Sequence, residues 1–533
     1  MSVNLHSTCR ELIHLILQGD IQTELELNKK KKVLSAKYHL NGLPGNAEIL
    51  SRAQPDEYDR VVEILRIKPV RTISGVAVIA VMTSPAPCPH GVCLPCPGGP
   101  DSIYQSPQSY MGREPATMRA IGHNFDPYLQ VTGRLTQLSE IGHCVDKTEL
   151  IIMGGSFTSR NVCYQEWFVR RCIEAMNDFQ TRQDTGVFRY LENVLNENET
   201  ASVRNIGITF ETRPDWAGPD EVDRMLILGG TKVEIGVQST YDFVLDKINR
   251  GHTVHHTCLA NRVLRDSGFK VGFHMMPGLP GSSKEMDMRM FLRLFNDEEF
   301  MPDYLKIYPA LVTEGTGLYK QWRSKEYHAF ELDEAVELIA NIKSILPPWV
   351  RLQRVQRDIP AWQIIAGVTK SNLRQLAGNR LTQSGGQCRC IRCREAGHKS
   401  LKGIEPGNIQ MVTRSYRACG GQEHFISFED VEQDILIGFL RLRYPYSPHR
   451  CELENTALVR ELHIYGPIVS MGAKPLNKEW QHRGYGEELL KEAEEMTKQA
   501  GFAKLAIISG IGVRPYYNRL GFIREGVYMV KKL

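Results

Sequence analysis

The sequence has no apolar run long enough to cross a bilayer. Its longest, GVAVIAVM from Gly75 to Met82, has the length of a strand. The opening stretch, MSVNLHSTCRELIHLILQGD, has acidic residues and no continuous apolar segment, so no signal peptide is expected. Internal repeats and low-complexity tracts are also missing. So is a strong charge imbalance: +4 over 533 residues identifies no partner by itself. Thirteen cysteines in so long a chain do not make a secreted disulfide scaffold. The expected setting is a reducing cytoplasm, where clustered cysteines more often hold metal, and no membrane association is expected.

The length exceeds one hydrophobic core and implies two or three domains. Residues 1–72 have helical periodicity and a basic run, Lys29 to Lys32, followed by Lys37, Arg60, Arg66, Lys68 and Arg71. Such a region suits a polyanion such as RNA, or else a solvated helix face. From 73 to 320, six short β-rich runs each precede a helical pattern: GVAVIAVM, ELIIMGG, IGITFET, KVEIGVQS, KVGFHMMPGLPG and YLKIYPALV. Repeated β-then-α order predicts a parallel sheet with right-handed crossovers, whose active site lies at the C-terminal strand ends. Residues 321–406 read as a largely helical linker, and 407–533 as a separate α/β module.

Two cysteine groups differ in the ligands they offer. Cys88, Cys93 and Cys96 follow the first strand in a loop rich in glycine and proline, with no fourth cysteine before Cys144. Three thiolates on a four-iron cluster leave one iron open; the alternative is zinc completed by His90 or water. Cys388, Cys390, Cys393 and the nearby His398 supply four ligands for a closed structural zinc site, with Cys419 and His424 as competitors for the fourth position.

The first group resembles the radical S-adenosylmethionine (SAM) enzymes, although their usual Cys-x3-Cys-x2-Cys spacing is here x4 then x2. MGGSF (Met153 to Phe157) is similar to the glycine pair that receives the SAM amino group. ETRPD (Glu211 to Asp215), EIGVQS (Glu234 to Ser239) and HMMPGLPG resemble later strand motifs of that family. The resemblance implies a 4Fe-4S cluster on Cys88, Cys93 and Cys96, with SAM held by Gly154, Gly155, Glu211 and Gln238. In the last module, Gln481, His482, Arg483, Gly484, Tyr485 and Gly486 open a helix after a β-run, and RPYYNRLGF follows (Arg514 to Phe522). This combination resembles the GNAT acetyltransferases. It implies an acetyl-CoA pyrophosphate on the 481–486 loop and a tyrosine acid at Tyr517, beside Tyr516.

With CPGGPDS, EPATMRA, RGHT and RVQRDIP added, nearly the whole chain resembles the Elongator catalytic-subunit family, of the single-subunit archaeal or bacterial type. The expected fold is α/β. It combines a partial (β/α)6 radical SAM barrel, a GNAT domain, a helical N-terminal extension and a zinc-binding linker. The implied activity is carboxymethylation of C5 of the wobble uridine in the tRNA anticodon stem-loop, from SAM and acetyl-CoA. An electron donor is required, and the oligomeric state is left open, a homodimer included. Lys306 and Tyr308, ending the sixth strand, are expected to face the acetyl group. The competing reading is a GNAT protein lysine acetyltransferase with a structural iron–sulfur cluster, for which Glu461 is the available base.

Overall fold

The computed structural model describes residues 3–67, 72, 75–181, 183, 184, 186–400, 403–466 and 484–533. Four helices, α1 (Val3–Gln18), α2 (Glu24–Lys37), α3 (Asn46–Leu50) and α4 (Tyr58–Leu65), form the N-terminal extension. They enclose a core of their own, with Leu12, Ile16, Leu27, Leu34, Ile49, Val61 and Leu65 inside. Thr23 and Glu26 close a capping box that starts α2. The lysine run divides by helical phase: Lys29, Lys30 and Lys32 are exposed, while Lys31 is buried against Asn46. Arg66 anchors the extension to the next domain through Gly142 O at 2.9 Å. Lys68 and Arg71 lie outside the described residues.

The second unit is an all-parallel sheet. Its strands are β1 (Ala77–Met82), β2 (Lys147–Met153), β3 (Arg204–Thr212), β4 (Gly230–Gln238), β5 (Lys270–Met275) and β6 (Tyr304–Ile307), in sequential order. A two-stranded ribbon, β7 (Val312–Thr313) with β9 (Ile364–Ala366), lies outside it. The sheet has one strand more than the six expected: β8 (Arg351–Arg354) pairs parallel to β6. This strand falls within the stretch read as helical linker. RLQR has three polar residues in four, so it gives no apolar signal. Helices Leu332–Ile345 and Leu373–Gln383 do form on either side of it.

The third unit is a seven-stranded sheet ordered β10-β11-β12-β13-β14-β16-β15. Its strands are β10 (Ile409–Ala418), β11 (Gly421–Asp430), β12 (Ile435–Tyr444), β13 (Thr456–Ile464), β14 (Lys504–Ile507), β15 (Ile523–Glu525) and β16 (Tyr528–Lys532). All neighbours are antiparallel except β13 and β14. That parallel pairing covers only Thr456–Val459 with Lys504–Ile507, so β13 runs on beyond its partner and the sheet splays. The helix Tyr485–Gln499 begins beside this opening, its Gly486 close to Leu462 and Ile464.

The two sheets meet through charge. Arg460 of β13 grips Asp303, just before β6, at 2.7 and 2.8 Å, and also reaches Glu423 at 2.8 Å. Arg265 bonds Glu423 at 3.0 Å, and Arg443 bonds Asp266 at 2.6 Å and Glu423 at 3.0 Å. Arg441 holds Glu461 at 2.9 Å, and Tyr304 donates to the other oxygen of Glu461 at 2.5 Å. Four arginines thus neutralise four carboxylates, and all eight side chains are buried. Burial alone would raise the Asp303 pKa, but Arg265, Arg460 and Arg441 hold it far below the ordinary value.

Removing one partner strands the others. Arg460→Leu is expected to cost about 3–5 kcal/mol in urea unfolding. Carboxylates with lowered folded pKa values stabilise above their unfolded values, near 4, and lose that contribution as pH falls through the folded ones. The melting temperature should therefore drop below about pH 4, and less steeply in Arg460→Leu than in the parent.

Candidate functional site: a chamber between two sheets

A continuous cavity of about 860 Å³ runs from the loop after β1, through the inside of the parallel sheet, to the splay of the third unit. At one end lie Cys88, Gln108 and Tyr110; at the other, His463, Ser509 and Tyr517. Barrel interiors are ordinarily filled by branched apolar side chains. This one is polar because the inward positions of successive strands hold Glu211, Lys232, Glu234, Lys270, His274, Lys306 and Gln353.

At the first end, Cys88, Cys93 and Cys96 gather in the loop. Burial and the two neighbouring thiols push the Cys88 thiol up to about 11. His90 Nε2 is 3.0 Å from Cys93 Sγ, and Arg250 Nη1 lies 3.5 Å from the same sulfur. The Gln108 amide is 3.3 Å from Cys96 Sγ. The three sulfurs do not fall within the 4.8 Å mutual spacing that marks a single-ion site among the described residues. Wider spacing with facing N–H donors fits a polynuclear cluster better than one zinc ion. Around the loop, Gln238 Oε1, Arg213 Nη1, Arg250 Nε and His90 Nδ1 are buried without a hydrogen-bond partner. These atoms fit a polar cofactor beside the cluster.

Gly154 and Gly155 follow β2 with φ of +122° and +98°. A Cβ on Gly154 would sit 2.2 Å from Thr83 Oγ1, and one on Gly155 would sit 2.8 Å from Gln108 Cβ. Both the backbone conformation and the close approach require glycine.

In the middle of the chamber Lys306 lies between two carboxylates, 3.2 Å from Glu211 Oε1 and in direct contact with Glu234. Lys232 also reaches Glu234, at 2.9 Å, and His274 Nε2 stands 2.9 Å from its second oxygen. Tyr110 donates to Glu211 at 3.1 Å, and Tyr308 stacks edge-on against His274. Burial would lower the Lys306 pKa, but Glu234, Tyr308 and Glu211 raise it above the ordinary lysine value. Lys306 is therefore a protonated donor and not a base. Burial, then Lys306, lowers the His274 pKa, so the imidazole is neutral near pH 7.

At the far end, Gly484 caps its helix with φ of +89°, and the first turn presents N–H groups that no preceding helical carbonyl can reach. Gln481, His482 and Arg483 lie outside the described residues. Tyr517 lines the chamber and is buried, which raises its pKa well past the phenol value. Tyr516 is not a lining residue; its hydroxyl faces Gly486, and burial pushes its pKa up to about 12. Glu461 has both oxygens engaged, by Arg441 and Tyr304, and is not a free base.

The structure brings Cys388, Cys390 and Cys393 together, their sulfurs within 4.8 Å of one another, but His398 does not join them. Its Nε2 lies 2.9 Å from Glu395 Oε1, and Arg351 pairs with the other oxygen of Glu395. Of the two competitors, Cys419 Sγ lies 3.1 Å from Asn261 Nδ2, while His424 pairs through Nδ1 with Ser415 Oγ at 2.7 Å and has a buried, unpartnered Nε2.

Sequence reasoning singles out Glu211 and Lys306 but misses Glu234, which pairs with Lys306, and His274 and Lys232, which pair with Glu234. A signal exists. Charged residues at alternate positions of a strand that is otherwise apolar, as in KVEIG, point to a polar interior, because parallel strands are ordinarily apolar on both faces.

This combination defines a class: a radical SAM half-barrel joined to a GNAT acetyltransferase sheet. Family models agree. They match the radical SAM superfamily over 99–294, its C-terminal domain over 302–383, the acetyltransferase (GNAT) family over 403–522 and an ELP3 N-terminal domain over 5–73. The tRNA uridine(34) acetyltransferase of Methanocaldococcus infernus is 52% identical over 498 residues, spanning 92% of each chain. Elongator complex protein 3 of Homo sapiens is 42% identical over 543 residues, spanning 100% of this chain and 97% of the relative. The structure of M. infernus Elp3 lacking its N-terminus superposes with a TM-score of 0.75 at 47% identity, covering 87% of this chain and 100% of that one. The chain belongs to the Elongator complex protein 3 family, which includes the archaeal tRNA uridine(34) acetyltransferases.

Lys306→Met leaves Glu234 and Glu211 short of a counter-charge in a buried site. It is expected to lower stability by about 3 kcal/mol in urea unfolding, with Lys306→Arg recovering most of the loss.

Proposed function

We propose that the chain is a tRNA carboxymethyluridine synthase, adding a carboxymethyl group to C5 of the wobble uridine from SAM and acetyl-CoA. The observation that carries this reading is the single chamber joining the three-thiol loop to the acetyltransferase opening. Cys88, Cys93 and Cys96 hold a 4Fe-4S cluster and leave one iron without a protein ligand. When bound, cluster and SAM supply a carbon-centred radical able to take hydrogen from an unactivated methyl group. Gly154 and Gly155 bring their backbone close to the SAM amino group, while Glu211 and Gln238 offer it polar partners. Lys306 donates to the acetyl carbonyl or the uridine, and Tyr308 walls the same space.

At the acetyltransferase end, residues 481–486 hold the acetyl-CoA pyrophosphate on the N–H groups of the helix start. Tyr517, protonated at neutral pH, donates to the departing sulfur. Cys388, Cys390 and Cys393 hold a structural zinc ion, with His398 as the candidate fourth ligand once the ion is bound. The wobble base must leave its stack to enter the chamber, and the exposed Lys29, Lys30 and Lys32 contact anticodon-stem phosphates. Among the described residues, no helix is long and apolar enough to cross a membrane, and we place the enzyme in the cytoplasm. A lysine acetyltransferase would need a free general base, and the engagement of Glu461 counts against it.

The test is mass spectrometry of the wobble nucleoside after anaerobic reconstitution with iron and sulfide and incubation with tRNA, SAM, acetyl-CoA and a reductant. Carboxymethyluridine is expected from the parent chain, with at least about a thousandfold loss in Cys93→Ala. Lysine-peptide acetylation that persists in Cys93→Ala without any nucleoside product would sink the assignment. Lys29→Ala with Lys30→Ala is expected to weaken tRNA binding uniformly across sequences. The salt slope should flatten by about 0.7–0.9 for each phosphate that the variant no longer neutralises.

A further inference from the structure

Among the lysines that line the chamber in the described residues, Lys270 has no role in this chemistry. Lys270 opens β5 beside Lys232 and faces the cavity half-buried. The other two lysines of the lumen are neutralised, Lys232 by Glu234 and Lys306 by Glu211 and Glu234. Lys270 makes no ion pair or hydrogen bond among the described residues, and burial lowers its pKa. Glu461 is the carboxylate that acts on it most strongly, and both oxygens of Glu461 are already engaged elsewhere. Glu149 also acts favourably on Lys270, but neither carboxylate forms a direct ion pair with it among the described residues; a partly desolvated ammonium held that way is costly, and a small anion relieves the cost. Space for one exists in the chamber that Lys270 lines.

We propose that Lys270 is a binding site for a two-carbon carboxylate, acetate, between the acetyltransferase end and the radical end of the chamber. The proposal rests on the reading that the chain consumes acetyl-CoA. Water attacks the thioester, its oxygen bonds to the acyl carbon and the carbon–sulfur bond breaks. The thiol leaves with one proton, the other proton goes to solvent, and acetate remains. Lys270 holds that anion inside the chamber, beside Lys232.

The test uses the full chain without cluster, SAM or tRNA. Titration with [2-13C]acetate is followed by carbon line width. Saturable broadening that unlabelled acetate reverses and neutral acetamide does not is expected. Lys270→Gln should weaken binding by about tenfold or more, and Lys270→Arg should retain it. In the parent chain, acetate should also slow reductive methylation of Lys270, read by peptide mass, which covers the case that Lys270→Gln does not fold. Absence of broadening, broadening unchanged in a folded Lys270→Gln, or methylation indifferent to acetate overturns the site. The wobble-nucleoside assay separates the two readings. A chain that makes carboxymethyluridine but does not bind acetate keeps the function and loses the anion site. A chain that binds acetate and makes no product does the reverse.

Discussion

Asp303 accepts both arms of Arg460 at the point where the parallel sheet meets the acetyltransferase sheet, and Arg265, Arg441, Arg443, Glu423, Asp266 and Glu461 complete the charge balance around them. Two sheets packed through apolar side chains tolerate sliding, since one methylene neighbour replaces another. A desolvated ion network tolerates little, because each shift leaves a charge unpaired in low dielectric. The relative placement of the two sheets, and hence the single chamber between them, depends on this network. The acetyltransferase opening faces the inside of the barrel because β13 supplies Arg460 and Glu461 to the network and then runs on past β14 to line the cavity with Leu462 and His463.

The same electrostatic logic governs the lumen. A polar interior is expensive unless its groups satisfy one another, and Glu211, Glu234, Lys232, Lys306 and His274 do so. The arrangement fixes protonation states: the lysine keeps its proton, Glu234 stays ionised and the histidine stays neutral. Fixed donors and acceptors around a cavity suit a reaction in which a neutral carbonyl and a uracil ring must be oriented and kept from water.

Much of this is legible in the sequence where one physical rule dominates locally. GVAVIAVM and YLKIYPALV read as strands because parallel strands are buried on both faces, and the glycine pair at Gly154 reads as a close-approach site because only glycine tolerates it. Legibility fails where the deciding partner is distant in sequence. RLQR becomes β8 only because β6 offers an edge, and nothing in those four residues announces it. His398 has a ligand's spacing from Cys393, yet its Nε2 lies against Glu395. The interdomain network is invisible for the same reason. Arg443 and Asp266 look like surface charges until two domains bury them together.

The two cysteine groups show why spacing alone underdetermines a metal site. Both have three thiols in a short loop, and both read as ligand sets. In one, the sulfurs converge as they would on a single ion, beside the half-buried Arg374 and Arg392. In the other they stand wider, with Arg250 donating to Cys93 Sγ, the His90 imidazole against the same sulfur and the Cys96 thiol donating to the Gln108 amide oxygen; a donor such as Arg250 stabilises thiolate charge on a larger cluster. The x4 gap belongs to this second geometry. Within it, Gly91 takes a φ of +89° and His90 folds back onto Cys93. That turn sets an imidazole nitrogen 3.0 Å from one of the three sulfurs, a contact that the tighter group of Cys388, Cys390 and Cys393 does not have among the described residues.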